Sequence, residues 1–161
     1  MHSYLLREAT VADARTLSEY RRLMFTEMGW VAPGEGDDLV SAMERYLERE
    51  IPTGTVRAWI VECDGRPVAG GIIVLQVPAP SPGFVRGESL ASMQNIWTEP
   101  DHRRRGLAGQ IVRAMIGWCR GHGVRRLVLN ATEAGRGIYT ELGFRPSTTA
   151  MTLTLGTEGD T

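Results

Sequence analysis

The spacing of apolar side chains changes period several times along this chain, and each change marks an element boundary. Residues 4–9 read as a strand. Thr10 with Asp13 then carries the signature of a capping box, and Ala14, Leu17, Tyr20, Leu23 and Met28 recur at helical intervals, so a helix is expected over 11–28. A glycine-bounded loop holding Trp30 follows, and Asp37 and Asp38, favourable at the positive end of a helix, open a second helix to about residue 50. The period then falls to two. Residues 56–63 and 67–77 read as strands joined by the tight turn Asp64-Gly65, a hairpin. The proline-rich segment 78–83 can be only an exposed loop, a candidate lid, before a strand over 89–98.

A third helix is expected from Gly106 to residue 121 or 123, with Leu107, Ile111, Met115 and Trp118 on one apolar stripe. A strand over 125–130 and a short helix over 133–142, weakened by Gly135 and Gly137 and stopped by Gly143, follow it. Residues 144–146 and 150–155 read as a closing strand or pair, and 156–161 as a frayed tail. The order predicts a single α/β (α+β) domain over 1–155: one mixed, mostly antiparallel sheet of six or seven strands with about four helices on both faces.

The start of the third helix carries the wrong charge. Arg103, Arg104 and Arg105 stand at an end that is itself partly positive and has four unpaired N–H groups. An anion shared between the arginines and the helix removes the conflict. Gly106, Ala108 and Gly109 clear side-chain bulk from the backbone, so a pyrophosphate can reach the amides directly. The whole chain is not an anion sink: its formal net charge is −1, which gives no general attraction to nucleic acid or anionic membranes. Arg103 to Arg105 with Arg125 and Arg126 lack the interleaved aromatics of a nucleic-acid surface. No apolar run approaches the roughly 20 residues of a membrane span, and the N-terminus is charged too early for a signal peptide, so a cytoplasmic protein is expected.

Composition narrows the chemistry. All 18 basic residues are arginine, so a P-loop and a Schiff-base lysine are excluded. Cys63 and Cys119 have no cysteine or histidine at metal-ligand spacing, and both read as small buried hydrophobes; no metal is expected. A dinucleotide fold would need Gly-x-Gly-x-x-Gly after the first strand, which is absent.

Arg103, Gly106 and Ala108 spell Arg-x-x-Gly-x-Ala at a strand-to-helix junction, and Tyr139, Gly143 and Phe144 spell Tyr-x-x-x-Gly-Phe further on. In these motifs and in its element order the chain resembles the GNAT superfamily of acyl-CoA-dependent N-acyltransferases. The resemblance implies a sheet splayed between its fourth and fifth strands, with coenzyme A in the gap. A bulge near Asn95 would free backbone groups of Ile96 and Thr98 for the pantetheine arm, and an N–H such as that of Trp97 would polarise the thioester carbonyl. Arg103, Arg104, Arg105, Gly106, Leu107, Ala108, Gly109 and Gln110 would hold the pyrophosphate. Thr132 stands where family members often carry asparagine; it would touch the coenzyme or cap the following helix. Tyr139 would be the general acid for the leaving thiolate.

The implied reaction is acetyl transfer from acetyl-CoA straight to a primary amine of a small acceptor in a ternary complex, by a monomer or homodimer. A non-catalytic acyl-CoA sensor of the same fold is the alternative. Strand 89–98 holds no carboxylate, so the base falls to Glu88, Glu27, or a water chain ending at Gln94 or Asn95. The acceptor would lie between a wall of Phe25, Glu27, Met28 and Trp30 and another of Phe84, Arg86 and Glu88, with Gln94 in reach.

Overall fold

A computed structural model describes residues 1–147 and 149–155. The described residues form two compact units, one over Met1–Asn130 and one from Ala131 onward. The frayed tail expected over 156–161 lies outside the described residues.

The first unit begins with β1 (Tyr4–Glu8), a 3-10 turn (Val11–Asp13) and α1 (Ala14–Glu27). The turn exists because Thr10 and Asp13 satisfy the orphan amides of the helix start. The Thr10 hydroxyl accepts from the Ala12 N–H at 3.3 Å and the Asp13 carboxylate from the Thr10 N–H at 2.8 Å. Arg7 of β1 then donates two 2.8 Å bonds to the same carboxylate and a third to Glu62. Helix α2 spans Asp37–Thr53.

Strands β2 (Val56–Cys63) and β3 (Arg66–Gln76) make the expected hairpin, with Asp64 and Gly65 both at positive φ in its turn. Strand β4 (Ser89–Thr98), α3 (Leu107–Gly121) and β5 (Val124–Val128) complete the unit. The sheet order is β1-β2-β3-β4-β5, antiparallel except for the final β4–β5 pair.

Adjacent residues of β3 show how the layers sit. A Cβ on Gly70 would meet Leu17 of α1 at 3.0 Å, and one on Gly71 would meet Met115 and Ile111 of α3. Successive strand residues face opposite ways, so α1 and α3 cover opposite faces of the sheet. Glycine at both places lets both helices approach. On the α1 side, fully buried Leu17, Leu47, Val56, Ile60 and Ile72 form the core with Trp97.

In the second unit, α4 (Arg136–Glu141) is the one regular element among the described residues. The sheet therefore has five strands, and the six or seven expected are corrected: neither 144–146 nor 150–155 is a strand. Their apolar alternation buries nothing, since Met151, Leu153 and Leu155 stand 83–98% exposed. Period-two patterning yields a strand only where another strand takes up its backbone groups, and no described strand pairs with these residues.

Candidate active site

Beyond β4 the chain makes a 3-10 turn, Pro100–His102, closed by the Arg103 N–H on the Pro100 carbonyl at 3.3 Å. Arg104 then takes φ +60° and Gly106 φ +77°. The left-handed conformation at an arginine costs roughly 1–2 kcal/mol, and strain of this kind collects at ligand clamps. The first bond of α3 runs from the Gln110 N–H to the Gly106 carbonyl at 3.0 Å. Amides 104–109 find no acceptor among the described residues, and α3 has neither a capping side chain nor an acid in its first turn. Buried Leu107 and Gly109 root the helix, while Ala108 is half-buried and Gln110 exposed. Unpaired amides in alternating left-handed geometry, on a positive helix end, make a concave anion receptor.

The three arginines are not equivalent. Arg103 donates from Nε to the Thr98 carbonyl at 2.9 Å and from its guanidinium to Glu27 at 2.5 Å, and it lies 5.5 Å from the Trp97 ring centre. It ties the end of α1 to the end of β4. Arg104 and Arg105 are exposed and make no ion pair among the described residues, so they remain as the flanking cations.

The expected bulge falls within β4. Gly70 pairs with Trp97 but Ile72 with Gln94, so Gly71 faces two residues, Asn95 and Ile96, and Asn95 has φ +62°. The extra residue reverses the alternation beyond it: Ile96 turns to α3, against Gly71, and Trp97 to α1, where its ring lies 4.9 Å from Tyr20. Asn95 Nδ2 donates to the Leu17 carbonyl at 2.9 Å, whereas Asn95 Oδ1, Trp97 Nε1 and Tyr20 Oη are buried without a partner among the described residues. β4 pairs with β5 only from Ser89 to Ser92, so the strands part after Ser92, and among the described residues 93–98 have no strand neighbour on that side.

The structure treats the acceptor walls less kindly. Phe25 stacks on Trp30 at 5.4 Å under Arg21, and Trp30 is 72% exposed beside Met28. Phe84 instead anchors its own loop, buried beneath Arg126. Glu88 accepts the Arg86 N–H at 2.7 Å, and that bond, with further backbone N–H groups and nearby Arg125, holds its carboxyl below the usual range. A depressed carboxylate on loop duty is a poor base. Glu27 is taken by Arg103, and Gln94 Nε2 donates to the Ser92 hydroxyl at 3.2 Å. Among the described residues no hydrogen bond, ion pair or ring contact joins the two walls.

In the second unit the Thr132 hydroxyl accepts the Gly135 N–H at 3.2 Å, a turn bond that precedes α4. Tyr139 lies on α4 with its ring 5.8 Å from Phe144, and the Phe144 N–H closes on the Tyr139 carbonyl at 2.9 Å. Gly135 passes close to that ring, where a Cβ would sit 3.3 Å away. Partial burial raises the Tyr139 phenol, so it holds its proton at neutral pH. Burial also pushes the Cys119 thiol up to about 11, which fits an inert side chain.

The site thus joins a parallel strand pair that parts at its middle, a bulge beside the opening and a helix start with unpaired amides. The profile of the acetyltransferase (GNAT) family matches residues 17–144, and the chain belongs to that family. Its fold is similar to a predicted acetyltransferase from Clostridium acetobutylicum solved with acetyl-CoA (TM-score 0.83, 22% identity, 96% of each chain covered). It is also similar to a GCN5-related N-acetyltransferase from Ralstonia eutropha (0.80, 24%, 95% of this chain and 99% of that one). An aminoglycoside N-acetyltransferase in complex with CoA matches at TM-score 0.68 and 16% identity over 96% of each chain. No curated protein sequence matches the chain. Among the described residues no helix is long and apolar enough to cross a membrane.

Proposed function

We propose that this protein transfers an acetyl group from acetyl-CoA directly to a primary amine of a small molecule. The observation that carries the reading is the run of unpaired amides 104–109 beside Arg104 and Arg105, following a strand left half unpaired by the divergence of its neighbour. The amides and the two arginines take the pyrophosphate, as charge-assisted bonds in a receptor formed before the ligand arrives. The free half of β4, at Ile96 and Thr98, takes the pantetheine arm, and an N–H at the bulge polarises the thioester carbonyl. Thr98 has its carbonyl engaged by Arg103, which leaves it the N–H alone to offer.

The amine nitrogen attacks the thioester carbon, the carbon–sulfur bond breaks, and the departing sulfur takes a proton from Tyr139. The raised phenol suits that role, because it is protonated when the thiolate forms. The amine's own proton leaves through water: Glu88 is held down and Glu27 is paired, so neither is a ready base. Phe25, Met28 and Trp30, with the Glu27 carboxylate, are the surface on which an amine with an apolar part would rest.

Release of free thiol from acetyl-CoA across a library of amino acids, polyamines, aminoglycosides and peptide N-termini tests the proposal. Amine-dependent release supports it. Tight acetyl-CoA binding with no turnover on any amine replaces it with the sensor reading.

A further inference from the structure

At the edge of the first unit the fold brings His2 to two donors that are neighbours in sequence, Cys63 and Asp64. Asp64 stands in the β2–β3 turn, Cys63 at the end of β2, and His2 just before β1. The His2 Nδ1 lies 3.2 Å from Asp64 Oδ2, the Cys63 thiol lies 3.6 Å from the same oxygen, and all three donor atoms fall within 4.8 Å of one another. We propose that His2, Cys63 and Asp64 form a binding site for a divalent transition metal of the zinc type.

Two of the three donor separations are those of a tetrahedral shell. Zinc bonds of about 2.0–2.1 Å to nitrogen and oxygen and about 2.3 Å to sulfur separate a nitrogen–oxygen pair by about 3.3 Å and a sulfur–oxygen pair by about 3.5 Å. The two measured separations match within about 0.1 Å, and the third closes by rotation of the exposed His2 side chain. One imidazole, one thiolate and one carboxylate are a donor set for zinc or cobalt rather than calcium or magnesium. The thiol is walled in, Cys63 being 6% exposed, while the exposed imidazole and carboxylate leave a path for the ion.

The carboxylate is also aimed. Asp64 holds φ +51° in the hairpin turn, and the Ser3 N–H takes its other oxygen at 3.3 Å, leaving Oδ2 for the metal. Such supporting bonds orient ligands in metal sites. Tyr4, cross-strand partner of Cys63, donates or accepts at 3.0 Å with the His102 ring, which stands 6.1 Å from the His2 ring. Three protein ligands leave one coordination position for water or another group on this side. An ion here would pin the first residues to the hairpin and lie beside the turn that leads into Arg103.

Cobalt(II) titrated into reduced, untagged, full-length protein tests the site, because a thiolate ligand announces itself by a sulfur-to-cobalt charge-transfer band. The expected result is one equivalent bound with that band and with the visible absorption of tetrahedral cobalt. Cys63→Ser should remove the band and Cys119→Ser should leave it. Asp64→Asn, at a left-handed position that asparagine tolerates, and His2→Ala should each weaken binding at least tenfold. Absence of the band at tenfold excess cobalt overturns the proposal, as does a band that survives Cys63→Ser. Should Cys63→Ser fail to fold, unchanged affinity in Asp64→Asn and His2→Ala, both exposed positions, overturns it equally.

Discussion

The first and third helices begin in opposite ways. Before α1, the chain supplies its own partners: Thr10 caps, Asp13 returns the bond, and Arg7 pairs with both Asp13 and Glu62. Before α3, a left-handed glycine stands where a cap would be, and among the described residues six amides have no acceptor and two arginines no carboxylate. Both sites hold arginine beside a helix start. One is complete when the chain folds, whereas the other would be completed by the proposed anion, which makes a helix start left open beside free cations the place to test function.

Breaking the complete start should cost stability and nothing else. Asp13→Ala removes a 7% exposed carboxylate that holds two partners, and a loss of about 3 kcal/mol is expected, read by urea melts, with acetyl-CoA affinity unchanged. Breaking the incomplete start should do the reverse. Ala108→Glu places a negative side chain in the first turn of α3, which suits the helix dipole but occupies the anion's place. Calorimetry should show acetyl-CoA affinity down about a hundredfold, about 2.7 kcal/mol, with a melting temperature equal or higher. A parallel loss of stability in Ala108→Glu would mean that the two starts are not different in kind.

Tyr139, in the other compact unit, sharpens the comparison by separating chemistry from binding. A thiolate near cysteine's pKa of about 8.5 leaves tolerably well unaided, so Tyr139→Phe should lower kcat by about thirtyfold, short of the upper range for general acids, and change the acetyl-CoA KM less than about threefold. A raised KM with intact kcat would make the phenol a binding contact.

The smallest expected effect is on acid stability. The hydrogen bonds of Arg7 hold the Asp13 carboxyl below its ordinary value. A depressed carboxyl stabilises the fold above the unfolded-state pKa of about 3.9, and that contribution is lost as pH falls through the lower folded value. Melting temperatures between about pH 5 and 2 should therefore fall more steeply in the wild type than in Asp13→Ala.

The contrast between the helix starts was half legible in the sequence. Thr10 and Asp13 are three residues apart and Arg103 to Gly109 are consecutive, so local chemistry exposes both. What Arg103 does was not legible, since its partner Glu27 is 76 residues away and only the packing of α1 on β4 joins them. The strand bounds Val56–Cys63 and Ser89–Thr98 follow from period-two runs with clean turn signals on either side. Asn95 at positive φ is invisible to that pattern, because a bulge is the partner strand's business as much as its own. The closing strands failed for a related reason: Met151, Leu153 and Leu155 alternate correctly, but pairing is a long-range fact. His2 likewise meets the adjacent pair Cys63 and Asp64 only through the β1–β2 register.

The parting of β4 from β5 has a colloidal side. Among the described residues, one row of backbone groups from residue 93 to residue 98 lacks a strand neighbour, which is the kind of edge an extended segment of another molecule could pair with. The usual guards, lysine and proline, are absent from this stretch, and the kink at Asn95 is the local obstacle to a second chain. An acyl-CoA arm lying along the row would therefore protect as well as react. Concentrated protein should scatter less light with coenzyme A than without it, and the ligand-free form is the one to keep dilute.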